Sequence, residues 1–236
     1  MIGIYGTGYL GQQIANYLNQ EKHNCIILNR HQSVTSTVSY IVDASFPRNY
    51  RNAQILRDYL NLLENRLTQS RISESKYVYI GSYSSLSLKN SKYGLGKKAA
   101  EDLVIQYSGT VLRLGLVIDP NNPGGRYLEF LKLVRKIPIH FIIPKSWCPV
   151  YVTKLNSALD SIHTIISDRE AITFGHIHAH GTKKIYLNQL LMQVSGNFPV
   201  IKVPELAMWI LSFLVSIFPI GKIDNLKSIM YKEVCD

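Results

Sequence analysis

"MIGIYGTGYLGQQIANYL", Met1–Leu18, decides the fold. Ile2–Tyr5 reads as a strand with no polar face, Gly6-x-Gly8-x-x-Gly11 follows at once, and a helical pattern runs from about Leu10 to Asn19. Gly6 permits the tight turn. Gly8 lets backbone approach a pyrophosphate lying on the helix N-terminus, where free N–H groups and the dipole favour an anion. Gly11 allows the helix to lie close on the strand. Such a motif is weak alone, but a strand before it and a helix after it make it a dinucleotide-binding loop. Tyr9 and Leu10 join the three glycines as expected cofactor contacts.

Outward from this loop, apolar runs and helical patterns alternate. "CIILNR", "SYIVDAS", "YVYIGS" and "TVLRLGLVI" read as strands, with helices near Asn52–Leu67 and Lys97–Tyr107. Continuous apolar strands separated by helices predict a parallel sheet covered on both faces. After the turn-rich "DPNNPGG", Asp119–Gly125, the pattern loosens, with a strand in "AITFGHIHAHG" and a helix in "YLNQLLMQVSG". The expected organisation is an α/β, Rossmann-like doubly wound core over 1–120. Residues 121–236 then form a small C-terminal substrate lobe interleaved with the end of the sheet.

The end of the second strand selects the dinucleotide. An acid there would hold a ribose 2′-hydroxyl, yet the sequence reads Asn29, Arg30, His31. Arg30 suits a 2′-phosphate, so NADP is preferred over NAD. The formal charge of +10 is scattered without a long basic tract, which favours phosphate-bearing small molecules over nucleic acid. The three cysteines, Cys25, Cys148 and Cys235, form no CxxC, and "MIGIYG" is no signal peptide, so a reducing cytoplasm is expected. Met208–Ile220 is the most apolar segment but shorter than the ~20 residues of a spanning helix. A lobe-packing helix is favoured there over peripheral membrane contact.

"GSYSSLSLKNSKYGLGKKAAEDL", Gly81–Leu103, places Tyr93 and Lys97 one helical turn apart. With the glycine loop and "YVYIGS" in that order, the chain resembles the short-chain dehydrogenase/reductase superfamily. Its extended and atypical branches, which modify nucleotide sugars, are the nearest in pattern. The resemblance implies that Tyr93 is the general acid/base, that Lys97 supplies the neighbouring cation and binds the nicotinamide ribose, and that Ser82 polarises the reacting oxygen. Ser84 and Ser85 are the competing serines, Ser84 being also a candidate substrate contact. Ala44 and Ser45, ending "SYIVDAS", are implied beside the nicotinamide. Arg113 and Arg126, around the loop after "TVLRLGLVI", are candidates to meet a substrate diphosphate. Homodimers are common in the family.

Three departures stand out. The linker from Ser82 to Tyr93 is short, the family's third strand and its helix are missing, and Lys154 stands where an acid is common. His176, His178 and His180 alternate, but no acidic or Cys partner is near, so no metal is expected. Glu101 and Asp102 read as solvated helix charges. The expected function is hydride transfer on a nucleotide-linked sugar, as reductase or epimerase, since "SYSSLSL" lacks the Asp-Glu pair of a dehydratase. A non-catalytic NAD(P)-binding sensor or assembly protein is the alternative.

Overall fold

A computed structural model describes residues 1–32, 37–86, 91–135, 140–142, 149–168, 175–179, 181–186, 189–191 and 200–202. In chain order the elements are β1 (Ile2–Tyr5), α1 (Tyr9–Gln20), β2 (Cys25–Leu28), β3 (Tyr40–Asp43), α2 (Ala53–Ile72) and β4 (Lys76–Ser82). A 3₁₀ turn (Tyr83–Leu86), α3 (Lys92–Gln106), β5 (Thr110–Leu114), β6 (Leu116–Ile118), α4 (Gly125–Arg135) and β7 (His140–Ile142) follow. Then come β8 (Pro149–Lys154), α5 (Leu155–Ser167), β9 (Ile177–His178), β10 (Thr182–Tyr186) and β11 (Val200–Lys202). The apolar segment Met208–Ile220, His180, Cys148, Cys235 and most of "YLNQLLMQVSG" lie outside the described residues.

Six strands form one parallel sheet in the order β2-β1-β3-β4-β5-β9. Successive side chains on a strand face opposite ways, so each strand feeds both covered faces. On one face Ile4, Val42, Ile80 and Leu112 pack with Ile14 and Leu18 of α1 and Leu159 and Ile162 of α5. On the other, Tyr5, Ile41, Tyr79 and Val111 meet Tyr59 and Leu63 of α2 and Ala100 and Val104 of α3. This is the Rossmann-like doubly wound arrangement. β3 pairs directly with β1, which leaves β2 at the edge of the sheet among the described residues.

The run "TVLRLGLVI" is two strands rather than one. β5 stays in the main sheet, while β6 pairs with β8 in a second sheet of order β10-β8-β6. The break falls at Gly115, where a Cβ would lie 2.3 Å from the Tyr151 carbonyl oxygen, so only glycine lets β8 come this close. β9, from the second half of the chain, completes the main sheet beside β5. α3 begins at Lys92, earlier than the sequence pattern suggested, with Ser91 capping it by accepting a hydrogen bond from Gly94 N–H. No helix among the described residues is long and apolar enough to cross a membrane.

The ends of β1 and β3 and the start of β4 meet at a buried polar knot. Asp43, with no exposed surface, accepts hydrogen bonds from Arg66 Nη1 at 2.9 Å, the Tyr77 phenol at 2.5 Å and the Ser45 hydroxyl at 2.6 Å. Arg66 also donates to the Arg30 carbonyl at 2.7 Å and lies over the Tyr5 ring. One guanidinium from α2 thereby ties down the loops after β2 and β3. Removing one partner of such a pair strands the other in a low-dielectric interior. Arg66→Ala is therefore expected to cost about 3–5 kcal/mol, read as a lower midpoint in chemical denaturation.

Candidate active site

The glycine loop is built as its spacing demands. Gly6 sits at φ 121° and packs on the main chain of Ala44 and Ser45, where a Cβ would come within 3.0–3.1 Å. A Cβ on Gly11 would lie 1.9 Å from the Gly6 carbonyl oxygen, so α1 can approach only without a side chain. Gly8 is the N-cap of α1, with no side-chain cap and no acid in the first turn, and a Cβ there would meet nothing within 4 Å. Uncapped N–H groups facing open space beside Gly8 are the donor set that a phosphate fits. Leu10 instead packs against the core, and the Tyr9 phenol donates to the Asn122 carbonyl at 2.9 Å and lies 3.3 Å from Asp119 Oδ2. Burial and the nearby Asp119 push the Tyr9 phenol up.

At the end of β2, Asn29 N–H donates to the Gln32 side chain at 3.1 Å. Arg30 is exposed and lines a shallow cleft with Pro47, Arg48, Asn49, Ile55 and Asp58. Ala44 and Ser45 lie between this cleft and the glycine loop, with Ser45 turned inward onto Asp43 and Arg66.

β4 runs parallel to β1, so its C-terminal end opens on the same edge of the sheet as the glycine loop. Ser82 ends that strand. Tyr93, 8 % exposed on the first turn of α3, hydrogen-bonds to the Ser82 hydroxyl and has the Phe46 and Tyr50 rings at 5.3 Å. Lys97 lies beneath it, donating to the Ile80 carbonyl at 2.8 Å and the Tyr79 phenol at 3.0 Å. Burial pushes the Tyr93 phenol up, but Arg126, Lys97 and the Ser82 hydrogen bond outweigh it and leave the phenol below its ordinary value. Burial likewise lowers Lys97.

Ser84 N–H donates to Ser82 Oγ at 3.3 Å, and Gly94 explains how so short a linker works. A Cβ on Gly94 would lie 2.3 Å from the Ser84 carbonyl oxygen, so α3 starts flush against the 3₁₀ turn. Residues 87–90 lie outside the described residues.

Glu101 corrects the reading of a solvated helix charge. It has no exposed surface and accepts from the Ser82 N–H at 2.9 Å and from Arg113 through Nε at 2.8 Å and Nη2 at 2.7 Å. The Ser85 hydroxyl lies 2.8 Å from it. The Arg113 guanidinium is thus engaged beneath Ser82 by a buried acid, which removes it as a free fork for a diphosphate. Asp102, next in sequence, does face outward and pairs with Lys98. Arg126, by contrast, is an exposed residue whose guanidinium lies 3.7 Å above the Tyr93 ring. Lys154 is the exposed N-cap of α5.

No protein-family model matches the chain, and no curated protein matches it by sequence. Solved structures share its fold. The dTDP-4-dehydrorhamnose reductase of Bacillus anthracis, a complex with NADP, superposes at TM-score 0.65 with 14% identity over 86% of this chain and 84% of that one. TunA, a NAD-dependent NDP-hexosamine 5,6-dehydratase of tunicamycin biosynthesis, gives 0.64 at 13% over 85% and 83%. The L-threonine dehydrogenase of Phytophthora infestans gives 0.66 at 13% over 98% and 88%. At 13–14% identity, the likeness to these structures is one of fold.

Replacing Glu101 by Leu leaves the Arg113 cation and the Ser82 N–H without their acceptor. The expected loss is about 3–5 kcal/mol by chemical denaturation, and Glu101→Gln, which keeps an acceptor for Ser82, is expected to lose less.

Proposed function

We propose that the chain is an NAD(P)-dependent oxidoreductase acting on a sugar carbon of a nucleotide-linked sugar, with NADPH the preferred cofactor and reduction or epimerisation the outcome. The observation that carries this reading is the buried Tyr93 phenol, held by Ser82, Lys97 and Arg126 on the sheet edge that also bears the open glycine loop. Core 1–120 would hold the dinucleotide and 121–236 the substrate side. Two fold neighbours act, by name, on nucleotide-linked sugars, which supports the substrate class.

Gly6, Gly8 and Gly11 would seat the pyrophosphate on the N-terminus of α1, and Lys97 would reach the nicotinamide ribose. Arg30 and Arg48, in the cleft that Asp58 also lines, offer two guanidinium forks for a 2′-phosphate. When bound, the dinucleotide supplies or accepts the hydride. Ser82 would hydrogen-bond the reacting oxygen and hold it toward Tyr93. In the reducing direction Tyr93 Oη gives its proton to that oxygen. In the oxidising direction the phenolate takes a proton from the substrate hydroxyl. Lys97 stabilises the phenolate through the low-dielectric interior.

Tyr93→Phe is expected to lower hydride transfer about 10²–10⁴-fold on nucleotide-keto-sugars while leaving NADPH binding intact. In the oxidising direction the wild-type rate should fall as pH drops through the Tyr93 pKa, which lies below that of a free phenol. An undiminished rate in Tyr93→Phe would sink the mechanism. Binding without turnover on any substrate would favour the non-catalytic sensor.

One fluorescence titration with NADPH and NADH checks the cofactor seat. Gly8→Ala adds a Cβ that meets no heavy atom within 4 Å, so it should fold normally yet weaken both dinucleotides at least about tenfold. Arg30→Asp should weaken NADPH alone.

A further inference from the structure

We propose that Arg126 acts as a second cation on Tyr93, a positioning residue for the acid–base step that Tyr9 of the glycine loop holds in place. This rests on the reading of Tyr93 as the acid–base group.

Arg126 is the second residue of α4, a different helix from α3, yet its guanidinium covers the face of the Tyr93 ring at 3.7 Å. A phenolate spreads its charge over ring and oxygen, so a cation stacked on the face favours ionisation as one beside the oxygen does. The charged and titratable groups around the phenol come from several elements. Lys97 and Glu101 belong to its own helix, Tyr79 to β4, Tyr50 to the stretch before α2, and Arg126 to α4. Of these, Arg126 has the largest lowering effect on the phenol, ahead of Lys97.

The two cations are not equivalent. Lys97 is buried, and burial pushes it below its ordinary value. An arginine keeps its charge throughout. Arg126 therefore offers a cation that does not titrate, beside one whose charge burial disfavours.

Its placement is built rather than incidental. Gly125, directly before it, turns the chain at φ 55°, a conformation that suits glycine. A Cβ on the preceding Gly124 would lie 2.1 Å from the Tyr9 ring, so that ring presses flat on the glycine. The Tyr9 phenol closes the contact by donating to the Asn122 carbonyl. The residue that sits between two glycines of the cofactor loop is thus the abutment for the cation over the acid–base tyrosine.

The test is a pH titration of the whole chain labelled with ¹³Cζ-tyrosine, followed by NMR. The Tyr93 resonance is assigned by its loss in Tyr93→Phe. Arg126 is exposed, so Arg126→Gln is expected to fold, which circular dichroism checks. In that variant the Tyr93 midpoint should rise by about one pH unit. Arg126→Lys, which keeps the charge, should restore most of the difference. An unchanged midpoint in Arg126→Gln overturns the proposal. An equal rise in both variants does so too, because packing rather than charge would then be the cause. The titration needs neither cofactor nor substrate. A chain that binds no NADPH can still pass it, and one that transfers hydride can still fail it.

Discussion

A carboxylate sealed from water must be satisfied from inside the protein, and two such carboxylates govern this fold. Asp43 ends β3 and Glu101 stands under the end of β4, both without exposed surface. Each is answered by an arginine from another element, Arg66 from α2 and Arg113 from β5. Their remaining lone pairs take the hydrogen-bond donors of residues at the mouth of the sheet: Ser45 for Asp43, and Ser82 with Ser85 for Glu101. The loops that carry the candidate chemistry are held by interior ions, and their positions follow from the requirement that no buried charge stand alone.

This arrangement also separates two jobs that exposed arginines and buried ones perform. Arg66 and Arg113 set backbone geometry. Arg30, Arg48 and Arg126 keep their guanidinium groups at the surface, two in the cleft beside β2 and one above Tyr93. The interior pairs are neutral as units, so the surplus positive charge that faces an incoming anion comes from the second group.

Much of this was legible in the sequence, because glycine spacing and strand periodicity are local signals. Gly6, Gly8 and Gly11 announced the first turn, and apolar runs marked five strands of the main sheet. That "CIILNR" and "SYIVDAS" are successive strands could be read from the short connection between them. Glu101 was misread because burial is a tertiary property: it neighbours Asp102, which is solvated, and only the rotation of α3 tells the two apart. Arg113 was misplaced for the same reason, since its partner lies on a different element. The split at Gly115 could have been suspected from a lone glycine inside an apolar run, which often marks close backbone approach. Arg48 carried no local signal at all, because the cleft it lines is assembled from the ends of three elements.

The single-residue junction at Gly115 has a mechanical consequence. β5 and β6 belong to different sheets but are joined there without slack, and β9, which lies in the chain between β8 and β10 of the second sheet, pairs with β5. The two sheets are therefore stitched together twice. A wide hinge opening would have to tear β9 from β5 or lift β8 from its contact with Gly115.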